Sequence, residues 1–140
     1  MRRIGQGIVL AVLVAGFLID LGGARARPAR AESEAPATNP LSGNQAAMKE
    51  GRSWYLAICA ICHGVEADGV GERGAAADLR VFNKGFGKFV ETVKNGRDVP
   101  NRTAKMPPWG GVLSDQQIYQ IGAYVETLAK KGANWKGPGN

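Results

Sequence analysis

The 140-residue chain is poor in the side chains that most catalytic and metal sites require. It has one histidine and two cysteines, and all three lie within residues 59–63. A catalytic triad needs a histidine placed beside a separate nucleophile, and a structural zinc site needs four Cys or His ligands. The scarcity of these residues therefore argues against triad hydrolases and excludes a completed zinc site.

The three residues that are present form one motif. Cys59-Ala60-Ile61-Cys62-His63 reads C-x-x-C-H, the attachment pattern of a c-type haem. In this pattern two thiols form thioethers with the haem, and the histidine that follows ligates the iron. A thioredoxin-like dithiol would follow a β-strand, but no alternating β-branched run precedes Cys59. The motif predicts one covalently bound haem c with His63 as the first axial ligand, which leaves no cysteine for a disulfide.

The beginning of the chain predicts export. Arg2 and Arg3 precede a 12-residue apolar stretch, residues 8–19, and an Ala-Arg-Ala sequence ends at Ala31. This is the pattern of a cleaved secretory signal, and the stretch is short for a membrane span of about 20 residues. We expect a Sec-type signal peptide over 1–31, a periplasmic location and no stable membrane anchor.

Cleavage would also change the charge. Residues 1–31 hold five Arg and one Asp, so the mature 109 residues would carry +2 instead of +6. Nucleic-acid binding requires a dense basic surface and is not expected. Within residues 69–106, eight basic residues outnumber four acidic ones, which is compatible with a basic rim that steers an acidic partner or with an ordinary solvated surface.

Three helices are predicted in the mature chain. The first begins near Gln45, capped by Ser42 or Asn44, and runs into the haem motif. A short second helix is expected over 86–95, with Gly96 as its stop. The last begins after Ser114 with a capping box and ends near 130–132. The predicted inward stripes are Met48, Gly51, Tyr55, Ile58 and Cys62; Phe86, Phe89, Val90 and Val93; and Ile118, Ile121, Val125 and Leu128.

The remaining segments are predicted to be irregular. Residues 64–87 are rich in glycine and are expected to form a loop along one edge of the haem. We expect residues 32–43 to be a flexible N-terminal extension, 44–132 the haem domain and 133–140 a loose C-terminal tail. No repeat or second domain is visible.

The second axial ligand must come from outside the motif, because there is no second histidine. Met, Lys, water or an empty position are the possibilities. Met48 precedes the motif on the same helix, whereas Met106 lies 43 residues after His63 in a loop that Pro107 and Pro108 stiffen. Met106 is the predicted ligand, with core packing as the ordinary alternative and Lys105 as a competitor at alkaline pH.

An iron held by His63 and Met106 has no open position for a substrate. The sequence therefore predicts an electron carrier and not an enzyme, since outer-sphere electron transfer remains possible at the haem edge. A haem enzyme or small-ligand sensor would require Met106 to be absent from the iron.

The chain from about Gln45 to Leu128 resembles a class I cytochrome c. Gly51 and Tyr55 precede Cys59 by eight and four residues, and Tyr124 lies in the last helix, as in the family. The resemblance implies an all-α fold in which the N- and C-terminal helices cross near Gly51, with a short middle helix and loops around one haem. A missing Cβ at Gly51 would permit that crossing.

The resemblance also suggests supporting residues. The family usually has a proline whose carbonyl accepts a hydrogen bond from the ligand histidine; here Ala75-Ala76-Ala77 replaces it, with Ala77 as the candidate acceptor. Arg80 and Trp109 are candidate partners of the haem propionates. The alternatives are a solvated charge and a packed aromatic.

Four segments, residues 39–44, 78–80, 106–109 and 113–115, favour a narrower group of cytochromes. They are similar to the periplasmic cytochromes, of the cytochrome c-L type or paired with lanthanide methanol dehydrogenase, that accept electrons from PQQ-dependent alcohol dehydrogenases. The resemblance implies a monomeric carrier with a PQQ-dependent alcohol or methanol dehydrogenase as donor and a downstream cytochrome or oxidase as acceptor. A general shuttle between a quinol-oxidising complex and an oxidase is the alternative.

Overall fold

A computed structural model describes residues 34–100 and 105–137. The predicted signal peptide, residues 1–31, lies outside the described residues. In the described part the regular structure is mainly helical, as expected for the class I cytochrome c fold. The elements are α1 (Gln45–Trp54), a π-helical turn (Tyr55–Cys59), α2 (Ala60–His63), β1 (Val70–Gly71), β2 (Gly74–Ala75), a 3₁₀ turn (Leu79–Val81), α3 (Phe86–Asn95) and α4 (Asp115–Thr127).

The first helix begins and ends for identifiable reasons. The Asn44 side chain accepts a hydrogen bond from the Ala47 N–H and caps α1. Ser42, the other predicted cap, instead donates its hydroxyl hydrogen to Glu126 of α4. From Gln45 to His63 the chain is helical without a break, but the π-helical turn adds one residue to the turn that ends at Cys59, the first residue of the haem motif.

Helices α1 and α4 cross with their backbones in direct contact at Gly51. A Cβ at Gly51 would collide with the Gln120 carbonyl and would lie 2.9 Å from the Ile121 nitrogen. Tyr55, one turn later, is completely buried, and its ring lies 5.4 Å from that of Tyr124. The crossing that the resemblance implied is therefore confirmed, and glycine is required at position 51.

Helix α3 fills the other side of the core. Phe86, Phe89, Val90 and Val93 are all buried, as the stripe predicted, and Gly96 ends the helix with φ of +71°. A Cβ at Gly122 of α4 would lie 2.8 Å from the Phe86 ring, so the two helices also pack closely. The capping box of Ser114 and Gln117 is present at the start of α4.

The described parts of the two segments that flank the haem domain differ from the prediction. The expected flexible extension is held where it is described, because Asn39 is buried and donates its amide hydrogen to the Tyr119 carbonyl at 3.0 Å. The expected loose tail is also wrong for 133–137. The Trp135 ring lies 5.2 Å from the rings of Phe82 and Phe89, tilted against the first and edge-on to the second. Its carbonyl accepts the Phe86 N–H at 2.7 Å.

Two smaller corrections concern element bounds. Helix α4 ends at Thr127, before Lys130 and Gly132, because the Lys130 N–H donates to the Arg80 carbonyl outside the helix. The segment predicted to be irregular contains a hairpin in which Val70 pairs with Ala75 and Gly71 with Gly74.

Replacing Gly51 by alanine tests the crossing. The new methyl group has no room against the α4 backbone, so we expect Gly51→Ala to lower the free energy of unfolding by about 1–3 kcal/mol. Denaturant unfolding of the haem-loaded protein measures the change. Gly87→Ala is the matched control in α3, where a Cβ meets nothing closer than 3.7 Å; it should be neutral or stabilise by up to about 1 kcal/mol. Equal stability of both variants would contradict the account.

Candidate haem site

The haem motif occupies the end of the first helical segment. Cys59 closes the π-helical turn, and Cys62 and His63 follow on α2, which ends at Gly64 with φ of +79°. Both cysteines and His63 are half-buried. A single turn of helix therefore presents both thiols and the imidazole at the protein surface, where a haem can reach them.

The first thiol of the motif does not have the property that a redox dithiol requires. Burial, with a smaller contribution from Cys62, raises the pKa of the Cys59 thiol to about 12. Redox-active dithiols depend on a thiolate that is present near neutral pH. The free Cys59 thiol is thus poorly suited to start disulfide exchange, which favours the haem interpretation of the motif.

The His63 ring is oriented by a backbone carbonyl. Nδ1 lies 3.0 Å from the Ala77 carbonyl oxygen, so the predicted acceptor is confirmed. A carbonyl can only accept, and Nδ1 must therefore carry a hydrogen; in the neutral ring this leaves the lone pair on Nε2. Within residues 34–100 and 105–137 no protein group is bonded to Nε2. This tautomer suits a ligand to haem iron.

A buried tyrosine holds the chain directly after the motif. The Tyr55 hydroxyl donates to the Gly64 carbonyl at 2.7 Å. Desolvation raises the pKa of Tyr55, so the hydroxyl stays protonated and remains a donor. The sequence identified Tyr55 as a core aromatic but gave no signal for this bond, which links the helix crossing to the end of α2.

Met106 lies in a segment that is fixed against the end of α3. Its N–H and carbonyl exchange hydrogen bonds with Arg97 at 3.0 and 2.9 Å, as an isolated β-bridge. The Trp109 N–H donates to the Val93 carbonyl at 2.9 Å, and a Cβ at Gly96 would lie 2.5 Å from the Met106 oxygen. The Met106 side chain is half-buried against the core. Its role as second axial ligand stays a prediction.

The two candidate propionate partners have different surroundings. Arg80 is already paired, since Nε and Nη2 donate to the two oxygens of Asp78 at 2.9 and 2.8 Å. The hydrogen bond from Arg80 lowers the pKa of Asp78 below its ordinary value. Trp109 is half-buried and packs against the core. A propionate contact stays a prediction for both residues.

These residues fit a covalently attached haem. Cys59 and Cys62 supply the thiols, and His63 supplies a pre-oriented nitrogen. Leu79, Met106 and Trp109 are apolar side chains that pack on the core yet remain partly exposed. Such surfaces are the kind that a large apolar ring covers favourably. In the described residues no cluster of three or more His, Cys, Asp or Glu side chains offers another metal site.

Comparison with known proteins agrees with this fit. The family described as cytochrome C oxidase, cbb3-type, subunit III, matches residues 46–125. Among curated proteins, the cbb3-type cytochrome c oxidase subunit FixP of Azorhizobium caulinodans is 32% identical over 89 residues, which are 61% of this chain and 29% of that protein. Cytochrome c550 of Pseudomonas aeruginosa is 32% identical over 96 residues, 66% of this chain and 63% of that protein. The chain thus matches less than two thirds of either relative.

A solved structure shows the same fold. Cytochrome cL from Methylophaga aminisulfidivorans superposes with a TM-score of 0.51 at 23% identity, covering 66% of this chain and 59% of that one. The matched family binds haem c covalently, and residues 46–125 contain both cysteines and His63. The protein therefore belongs to the c-type cytochromes, in the family described by the cbb3-type subunit III profile, and has the class I cytochrome c fold.

Proposed function

We propose that the protein is a mono-haem electron carrier of the periplasm, exported by a signal peptide over residues 1–31. The proposal rests on the two residues that could ligate the haem iron. His63 is held through Nδ1 with Nε2 available. Met106, the one methionine outside a helix in the described residues, has its backbone fixed by the bridge to Arg97. When bound, the haem supplies one-electron oxidation and reduction.

The protein's own contribution is to keep the ligands in place. His63 and Met106 are held by different parts of the chain, one at the end of α2 and the other against the end of α3. A site with both axial positions filled excludes small ligands and substrates from the iron, which favours a carrier over an enzyme or a sensor. The described residues contain no helix that is long and apolar enough to cross a membrane.

We further propose that electrons enter from a PQQ-dependent alcohol or methanol dehydrogenase. The support is the resemblance of residues 39–44, 78–80, 106–109 and 113–115 to cytochromes that serve such enzymes. Several of these residues serve the fold itself: Asn39 is buried, Asp78 caps the 3₁₀ turn and Ser114 caps α4. The four segments therefore support a local structure shared with these cytochromes more strongly than they support the same electron donor.

A second candidate function is electron delivery to a terminal oxidase from a quinol-oxidising complex. The observation that favours it is the family match, since FixP is named as a subunit of a cbb3-type oxidase. Both functions need the same haem and the same ligands. They differ only in the partner that reduces the protein.

The surface next to the motif is a candidate docking surface, defined by Ile61, Val65 and Val70. These side chains are 40%, 63% and 74% exposed. Their segments are in backbone contact, because a Cβ at Gly71 would lie 2.5 Å from the Ile61 oxygen and one at Gly64 would lie 2.7 Å from the Val70 oxygen. Neighbouring exposed apolar residues are typical of protein contact sites.

Half of the cations of the predicted basic rim are paired within the chain. Four of its eight cations form ion pairs with acidic residues of the same chain. Arg73, Lys84 and Arg97 form no ion pair within the described ranges, and Arg102 is outside them. We therefore expect docking to depend more on the exposed apolar surface than on the rim. The paired cations are Arg80, Lys88, Lys94 and Lys105.

Replacing Met106 tests the ligand set. Met106→Ala should abolish the near-infrared charge-transfer band of methionine-bound ferric haem and allow carbon monoxide to bind the ferrous iron, because a methyl group cannot reach the metal. Met48→Ala, on α1, should leave both properties unchanged. Persistence of the band in Met106→Ala would contradict ligation by Met106.

Mixing the proteins tests the donor. Purified dehydrogenase with saturating alcohol should reduce the oxidised cytochrome, which is followed by haem absorbance. If the dehydrogenase reduces an artificial acceptor but not the cytochrome, the leading donor is rejected. Reduction by a quinol-oxidising complex in the same assay would then support the second function.

A charged substitution tests the docking surface. Val65→Asp should lower the second-order rate of reduction about tenfold, because a carboxylate must be desolvated in the interface. Raising the ionic strength should change the wild-type rate little. Val81→Asp is the control, since Val81 is also exposed but lies on the 3₁₀ turn, where the Arg80 carbonyl accepts the Lys130 N–H. Equal loss in both variants, or a steep salt dependence, would contradict docking through this surface.

A further inference from the structure

The carbonyl that orients His63 lies in a segment of three alanines. The methyl side chains of Ala75, Ala76 and Ala77 can form neither hydrogen bonds nor ion pairs, and Ala77 is exposed. The proline expected at this place in relatives would limit backbone motion by itself. In this chain some other feature must keep the Ala77 oxygen 3.0 Å from Nδ1.

Backbone hydrogen bonds fix the segment on the side that precedes Ala77. The Ala76 N–H donates to the Gly69 carbonyl at 2.8 Å, and the Gly69 N–H donates to the His63 carbonyl at 2.9 Å. With the bond from Nδ1 to Ala77, these contacts close a ring that starts and ends at His63. The backbone of the ligand histidine thus holds the acceptor of its own imidazole.

Further bonds fix the side that follows. The Leu79 N–H donates to the Ala67 carbonyl at 2.8 Å. Ala67 is completely buried and has φ of +57°, a left-handed conformation that is costly without glycine and persists only where the surroundings impose it. The loop after the motif is therefore held in one conformation on both sides of Ala77.

The hairpin of β1 and β2 rests directly on the helix that carries the motif. The Arg73 N–H donates to the Ile61 carbonyl at 2.9 Å. A Cβ at Gly71 would lie 2.5 Å from the Ile61 oxygen and 2.5 Å from the Cys62 carbonyl carbon. Glycine is needed here for close approach, because any larger residue would push the hairpin away from α2.

We propose that this hairpin, seated on α2 through Gly71, is the element that positions the His63 imidazole. The hairpin replaces the missing proline in this role, because it holds the Ala75–Ala77 segment against the haem-binding helix. Gly71 is therefore a positioning residue for the axial ligand. The inference rests on haem ligation by His63, and it is independent of the electron donor.

A glycine substitution in the haem-loaded protein tests the proposal. In Gly71→Ala the hairpin should lift from α2 and weaken the bond between His63 and Ala77, so the Nδ1 proton should exchange with solvent roughly three- to tenfold faster by NMR. The midpoint potential should rise, because a weaker hydrogen bond makes the imidazole a poorer donor to ferric iron.

The matched control is Gly111→Ala, where a Cβ meets nothing within 4 Å. Both readouts should be unchanged in this variant. A folded Gly71→Ala protein with wild-type proton exchange and wild-type potential would overturn the proposal.

A measurement on the unaltered protein covers the case in which Gly71→Ala does not fold. Under mild denaturant, the Arg73 and Ala76 amides and the His63 Nδ1 proton should exchange with one common free energy of opening. An imidazole proton that stays protected while the hairpin amides exchange freely would overturn the proposal. His63 ring resonances without the shifts that a bound haem causes would instead overturn the ligation on which it rests, whereas a failed dehydrogenase assay would leave both tests intact.

Discussion

The helical segment from Gln45 to His63 is the constraint on which the rest of the structure depends. Near its middle, Gly51 lets its backbone touch the backbone of α4, a contact that admits no side chain. At its end, His63 is held through Nδ1 by the Ala77 carbonyl. The packing of the two terminal helices therefore also sets the position of both haem cysteines and of the first ligand, since one continuous helix carries them all.

The second ligand depends on a separate part of the fold. The Met106 segment is bonded to the end of α3 through Arg97 and Val93 and approaches Gly96 closely. An ion pair of 2.8 Å between Lys94 and Asp115 joins the same end of α3 to the start of α4. Backbone contacts thus hold both predicted ligands before any haem is considered, and such pre-organisation suits a site that exchanges electrons without rearranging.

The sequence predicted those features that local chemistry determines. The bounds and buried stripe of α3 follow from the spacing of Phe86, Phe89, Val90 and Val93, and the start of α4 follows from the capping box. The haem motif could be recognised from five consecutive residues alone. The acceptor at Ala77 came from a family resemblance, but the hairpin that holds it depends on how closely Gly71 approaches α2, which glycine content alone does not reveal.

Contacts between distant residues account for the errors. Asn39 looked like part of a polar extension, yet it is buried by a bond to Tyr119, 80 residues away. Trp135 looked like part of a tail, yet it completes an aromatic cluster with Phe82 and Phe89. No local sequence pattern encodes these pairings. The π-helical turn that ends at Cys59 also has no signal in the sequence.

A crystal structure of the haem-loaded protein tests the central claim most directly, because it shows both axial ligands and the His63 ring together. The account predicts iron between His63 Nε2 and Met106 Sδ, thioethers to Cys59 and Cys62, and an unchanged bond from Nδ1 to the Ala77 carbonyl. An iron bound by any other pair of residues, or a His63 ring turned away from Ala77, would contradict it.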